Sequence, residues 1–101
     1  MRKAIVAGAI ALLASAGVSA DQKRTAQCAQ ISEVASEIMK TRQAGVSMAK
    51  MMEVPSEGDL GDMLRGLTIA AYEKPRYSTP EMRQREIEDF QNDVYLNCIK
   101  N

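Results

Sequence analysis

Two cysteines, Cys28 and Cys98, are the residues of this chain best suited to covalent chemistry. Such a pair can form a structural disulfide, take part in redox exchange or bind a soft metal. The chain has no C-x-x-C motif, which reactive pairs commonly use, and no histidine, the usual companion of cysteine in mixed zinc sites. We therefore predict a structural disulfide, provided that the chain leaves the reducing cytoplasm.

Methionines form a second candidate site, because Met48, Met51 and Met52 crowd one short segment. Thioethers are soft ligands that suit Cu(I). The same flexible side chains also fill irregular gaps in small cores or line pliable binding surfaces. No histidine or free cysteine lies nearby, so packing is the favoured interpretation and a Cu(I) carrier is an alternative function.

Arginine and tyrosine concentrate in two predicted turns between helices. Both residue types are over-represented at binding hot spots, and functional residues favour loops held by rigid elements. Our hypothesis is that these turns contact a partner protein. The alternative is local, with arginine satisfying carbonyls at a helix end and tyrosines sealing the edge of the bundle. The candidate contact residues are Arg42, Gln43, Tyr72, Arg76 and Tyr77.

Catalysis has little support in this sequence. The absence of histidine removes the commonest general base near neutral pH. There is no glycine-rich phosphate loop and no nucleophile elbow. Carboxylates such as Glu86 and Asp89 alternate with Arg83 and Arg85 on one predicted helix, a pattern typical of surface ion pairs. We expect no enzymatic activity and no cofactor.

The N-terminus has the three parts of a cleavable secretory signal peptide. Arg2 and Lys3 precede an uncharged apolar run at 4–18, and small residues then lead to a cleavage site after Ala20. The run is too short and too rich in alanine and glycine for a stable membrane span, which needs about 20 strongly apolar residues. We predict residues 1–20 as the signal peptide, residues 21–101 as one mature domain, and a periplasmic or secreted location.

This location supports the disulfide prediction. Linking Cys28 to Cys98 would close a loop of about 70 residues and contribute on the order of 4 kcal/mol to stability.

The charge balance limits the classes of partner. The chain has 13 basic and 13 acidic residues, which are interspersed, and loss of Arg2 and Lys3 leaves 11 basic against 13 acidic residues. A slightly acidic chain without a basic block argues against nucleic acid and anionic membrane as partners.

Apolar residues recur at helical rather than strand spacing. The first main helix has an apolar stripe with Ser32 outside it, and Gly45 is predicted to end it in the left-handed conformation. A short helix then begins at Ser47 as N-cap and stops before Pro55. The stripe of the first helix comprises Cys28, Ile31, Val34, Ala35, Ile38 and Met39.

The next two helices are predicted in the same way. The third begins with Asp59 or Ser56 as its cap, and Ile69, opposite its apolar stripe, is expected to touch a second neighbour. The last begins either at Thr79 with Pro80 in the first helical position or with a capping box of Ser78 and Glu81. The third stripe comprises Leu60, Met63, Leu64, Leu67, Ala70 and Ala71, and the last comprises Ile87, Phe90, Val94 and Cys98.

The predicted fold is all-α. It is a small irregular bundle of three main helices plus one short helix, in which a disulfide clamps the first and last helices. Because Cys28 lies early in the first helix and Cys98 late in the last, these two helices are expected to pack antiparallel.

Four ordered motifs resemble a group of small exported proteins of Gram-negative bacteria and their prophages. The resemblance covers most of the predicted mature chain and implies the compartment and the helical architecture. The group has no assigned activity, so no functional residue follows from it. The motifs are Cys28, Met39-x-x-Arg42-Gln43-x-Gly45-x-Ser47, Ile69-Ala70-Ala71-Tyr72-x-x-Pro75 and Phe90-x-x-x-x-Tyr95-x-x-Cys98.

These features favour a non-enzymatic periplasmic or secreted interaction module that binds a protein partner. A periplasmic stress chaperone is the alternative, supported by the methionine-rich short helix and the small core. A methionine-based Cu(I) carrier is the third hypothesis.

Overall fold

The computed structural model describes residues 19–53 and 57–101. The predicted signal peptide lies almost entirely outside the described residues, and so do Pro55 and the candidate cap Ser56. In the described part, the chain forms four helices and no strand: α1 (Ala20–Gln43), α2 (Met48–Met51), α3 (Gly58–Tyr72) and α4 (Pro80–Lys100). The predicted all-α bundle of three long helices and one short helix is confirmed. None of these helices is both long and apolar enough to cross a membrane.

Helix α1 is the centre of the bundle. It packs extensively against α4 and less so against α3, whereas the backbones of α3 and α4 approach each other closely at few positions. The core lies along α1, where burial of apolar side chains supplies the main stabilising free energy. Its fully buried members are Ala35, Ile38, Met39, Ala71, Ile87 and Phe90.

A disulfide joins the first and last helices, as the sequence predicted. The Cys28 and Cys98 sulfur atoms are 2.04 Å apart and their Cα atoms 5.6 Å apart. At the same end, the Arg24 guanidinium donates to the carbonyl of Ile99 at 2.8 Å, where the last turn of α4 leaves carbonyls without helical partners. Since Gln43 contacts Tyr77 at the opposite end, α1 and α4 run antiparallel, as expected.

Helix α1 begins at the predicted cleavage site. Ser19 is its N-cap and accepts from the amide of Gln22, whose side chain accepts in return from the amide of Ser19. Residues 19–27 are all exposed. Cleavage after Ala20 would remove this cap and place a free ammonium at the positive end of the helix dipole, which is unfavourable. The first turn of α1 in the mature chain is therefore expected to fray.

The apolar face of α1 is broader than its sequence stripe. Ser32 was predicted to lie away from the core, but it is 5% exposed, and Ser36 is buried as well. The Ser32 hydroxyl donates to the Ala29 carbonyl at 2.7 Å, so its polar group is satisfied within the helix and can be buried at little cost.

Helix α3 buries smaller residues than predicted. The residues buried in α3 are Gly61, Thr68 and Ala71, and the Thr68 hydroxyl donates to the Leu64 carbonyl at 2.8 Å. Leu60 of the predicted stripe is 60% exposed, so its predicted burial was wrong, and Ile69 on the opposite side is 45% exposed. Small side chains allow two helices to approach more closely than leucines do.

The helix ends follow local signals with one exception. Ser47 and Thr79 are the N-caps of α2 and α4, and each side chain accepts from the backbone amide three residues later. For α4, the Thr79–Pro80 alternative is the observed one. In α3, Asp59 lies inside the first turn; Glu57 occupies the cap position without a side-chain bond. The prediction of Asp59 as cap was therefore wrong.

Gly45 is expected to be intolerant of a side chain. Its φ of +95° suits glycine, and a Cβ there would lie 2.9 Å from Nη2 of Arg76. Gly45→Ala should lower the free energy of unfolding in urea by about 1–2 kcal/mol. The control is Gly66→Ala, where a Cβ meets nothing within 4 Å and the helix should gain up to about 1 kcal/mol. Equal effects of the two variants would contradict this prediction.

Candidate interaction surfaces

The five predicted contact residues form one cluster, which we call the turn cluster: Arg42, Gln43, Tyr72, Arg76 and Tyr77. They lie where the end of α1 meets the segment that connects α3 to α4. Backbone and side-chain hydrogen bonds link the two turns reciprocally, so that each turn supplies both donors and acceptors. The structure therefore joins residues that are more than 30 positions apart in sequence.

Gln43 is the buried member of the turn cluster, with an exposure of 2%. Its amide nitrogen donates to the Pro75 carbonyl and its amide oxygen accepts from the Tyr77 backbone N–H, both at 2.9 Å. The same nitrogen lies 3.5 Å from the sulfur of Met39. The polar atoms of Gln43 are thus used within the fold, and the residue holds the connecting segment in place beneath the surface.

Arg42 and Tyr72 lie against each other at the edge of the cluster. The guanidinium carbon of Arg42 is 4.9 Å from the centre of the Tyr72 ring, within cation–π range. Arg42 Nη2 also donates to the Lys74 carbonyl at 3.0 Å, and the Tyr72 hydroxyl donates to the Val46 carbonyl. Arg42 Nε is buried and finds no acceptor among the described residues. These contacts agree with the local alternative, in which arginine satisfies carbonyls beyond a helix end.

Two further arginines anchor to the same region. Arg76 Nε donates to the Gln43 carbonyl at 3.1 Å, and Arg83 Nε donates to the Tyr77 carbonyl at 2.7 Å. Arg83 was not among the predicted contact residues, because its place on a charged helix indicated only surface ion pairing. Among the described residues, the ion pairs involve other cations. Arg42, Arg76 and Arg83 are not paired with a carboxylate in that part of the chain.

The methionine segment lines a small apolar cleft. Met51 and Met52 border a cavity of about 80 Å³ together with Ile38 and Leu64, and Met51 packs against the core. Met48 is partly buried but does not line this cleft. All three methionines are partly buried at the edge of the core, a place where flexible side chains adapt to irregular surfaces. Among the described residues, no group of three or more histidine, cysteine or acidic side chains could hold a metal ion.

Comparison of the chain with family models, curated proteins and solved structures found no match. The geometry of the described residues is therefore the basis for assigning a function.

Proposed function

We propose that this protein is an exported, non-enzymatic interaction module, and that the arginines of its turn cluster, Arg42 and Arg76, bind an acidic group of a partner protein together with Arg83, whereas the buried Gln43 supports them from beneath. The observation that supports this is the anchoring of Arg42, Arg76 and Arg83. Each donates one N–H to a backbone carbonyl of the two turns or the connecting segment, and none is ion-paired within the described residues.

The chemistry of guanidinium explains why this arrangement suits an acidic group. Each guanidinium has five N–H donors in a planar fork, so one bond to a carbonyl leaves most donors available for carboxylate or phosphate oxygens. Anchoring also fixes the side chains before binding, which reduces the entropy lost on association. Arg76 is the exposed member, whereas Arg42 and Arg83 are partly buried. Arg76 is therefore the residue expected to meet the partner first.

Export is supported by two features. The first is the signal-peptide pattern of residues 1–20. The second is the Cys28–Cys98 disulfide, a type of bond that persists in oxidising compartments. Together they favour a partner in the periplasm or outside the cell.

The test is binding of a fluorescent glutamate-rich peptide, followed by anisotropy. Arg76→Gln should weaken this binding roughly three- to tenfold, since a hydrogen bond to a charged group is lost. Arg85→Gln, on the exposed surface of α4, makes the same charge change outside the cluster and should have little effect. Equal loss in both variants would show that only net charge matters and would exclude the turn cluster as the site.

Thermal unfolding of the same two variants separates binding from folding. Arg76 is exposed, but the Gln43 carbonyl that it contacts is partly buried, so Arg76→Gln should lower the free energy of unfolding by about 1 kcal/mol and Tm by about 4–8 °C, which leaves the variant folded at 25 °C. Arg85→Gln should melt close to the parent. Arg76→Lys keeps the charge but lacks the planar fork. It should bind with intermediate affinity if the site uses paired donors.

A further inference from the structure

A second surface, distinct from the turn cluster, lies between α3 and α4. Both helices pack on α1, and their backbones approach each other closely at few positions, so an open groove of about 330 Å³ remains between them. Its apolar lining comes from Ala70 on α3 and from Phe90, Val94 and Leu96 on α4. Leu96 is 54% exposed, and an apolar side chain so placed gains stability when a partner covers it.

The charges along this groove are predominantly negative. Glu73 and Asp93 line it, with Lys74 as the one cation in the lining. Glu86 of α4 belongs to the same electrostatic environment: partial burial raises its pKa, Lys74 opposes this effect, and Asp89 and Asp93 add to it. Four carboxylates therefore share this region with one ammonium group.

We propose that the groove between α3 and α4 binds an amphipathic helix that carries lysine or arginine beside an apolar stripe. A helix laid between α3 and α4, opposite α1, would complete a four-helix arrangement. Its apolar stripe would cover Val94 and Leu96, and its cations would face Glu73 and Asp93. This inference goes beyond the proposed function, because it concerns a different surface and a partner segment of opposite charge.

Charge complementarity distinguishes this occupant from a second copy of the chain. A second copy that docked through the same groove would bring its own carboxylates against Glu73 and Asp93. Like charges placed together across an interface oppose association. A basic helix instead gains both from covering Leu96 and from neutralising the acidic side of the groove.

The test uses the disulfide-bonded protein and a synthetic amphipathic peptide of about 15 residues, with leucine on one face and lysine on its borders. Fluorescence anisotropy should show binding of this peptide and much weaker binding of the version with glutamate in place of lysine. A scrambled lysine peptide that lacks the apolar stripe should also bind weakly. Equal binding of all three peptides would overturn the proposal.

Matched variants locate the site. Asp93→Asn should weaken binding roughly two- to fivefold, whereas Glu33→Gln, the same charge change on the exposed surface of α1, should not. Leu96→Asn should weaken it about tenfold, and Ile69→Asn, at an exposed apolar residue outside the groove, should not. Lys74→Gln removes the opposing cation and should tighten binding.

Two results would overturn the groove assignment. The first is an equal loss of affinity in Leu96→Asn and Ile69→Asn, which would indicate unspecific apolar binding. The second is a dimer, detected by light scattering at the concentrations used, that Leu96→Asn converts to a monomer; a second copy would then be the occupant. The turn-cluster variant Arg76→Gln should leave affinity for the lysine peptide unchanged, so the two proposals can fail separately.

Discussion

Replacing both cysteines, as Cys28→Ser with Cys98→Ser, is expected to lower the free energy of unfolding by about 4 kcal/mol. The disulfide closes a loop with a sequence separation of 70, which restricts the unfolded chain severely. The folded chain has a small core, and domains of this size have a net stability of only about 5–10 kcal/mol. Loss of the disulfide would therefore remove much of the total free energy of unfolding.

Urea unfolding of the oxidised protein, expressed with its predicted signal peptide and purified from the periplasmic fraction if it is exported there, measures this effect. The double variant and the reduced parent should unfold at similar, much lower urea concentrations, and reductant should not change the variant further. Intact mass of the same sample should fit a chain that begins at Asp21 and lacks the two thiol hydrogens. A loss below about 1 kcal/mol would contradict the loop-entropy explanation.

Gln43→Leu is expected to cost about 2–3 kcal/mol, although leucine has a similar size and is apolar. The reason is that Gln43 serves two backbone groups at once: the Pro75 carbonyl and the Tyr77 N–H. Leucine can satisfy neither, and both groups lie in a partly buried environment. A buried hydrogen-bonding group without a partner costs more than the bond itself contributed.

The control for this variant is Gln30→Leu, an exposed glutamine on the same helix. Its effect on urea unfolding should stay within about 0.5 kcal/mol. Amide hydrogen exchange gives a second measurement, because the Tyr77 N–H should lose protection in Gln43→Leu and keep it in Gln30→Leu. If both variants unfold alike, the hydrogen bonds of Gln43 contribute nothing beyond those of a surface residue.

Two residues of the turn cluster also influence the groove between α3 and α4. The segment that Gln43 holds, through Pro75 and Tyr77, connects α3 to α4. Since the backbones of these helices approach each other closely at few positions, their separation depends largely on α1 and on this connection. Arg42 reinforces the connection through the Lys74 carbonyl, and Lys74 itself lines the groove. Gln43 and Arg42 thus help to set the shape of the surface proposed to bind a basic helix.

Local chemistry in the sequence was sufficient to predict the helices and most of their ends. Ser47 and Thr79 cap helices because their hydroxyls satisfy amides that the first turn leaves without partners. Gly45 ends α1 because its left-handed φ is unfavourable for other residues. The disulfide was predictable as well, because only two cysteines are present and the N-terminal pattern indicates an oxidising compartment.

The candidate site was predictable only in part. Arginine and tyrosine in two turns suggested a contact region, and the structure brings those turns together, although their role in binding stays a prediction. The sequence could not show that Gln43 is buried, because a glutamine at the end of a helix is usually solvated. It also could not show that Arg83 joins the region from α4, since that contact depends on how the chain returns after α3.

The disulfide remains the clearest link between sequence and structure, since residue type and compartment alone predicted it. Tertiary packing decided which faces of the helices became buried. Periodicity indicates which side of a helix is apolar, but not which of its residues become buried: Gly61 and Thr68 of α3 are buried while Leu60 is exposed. The physical reason is that the distance between two packed helices depends on the sizes of the side chains on both of them. The side chains of the second helix come from residues that are distant in sequence.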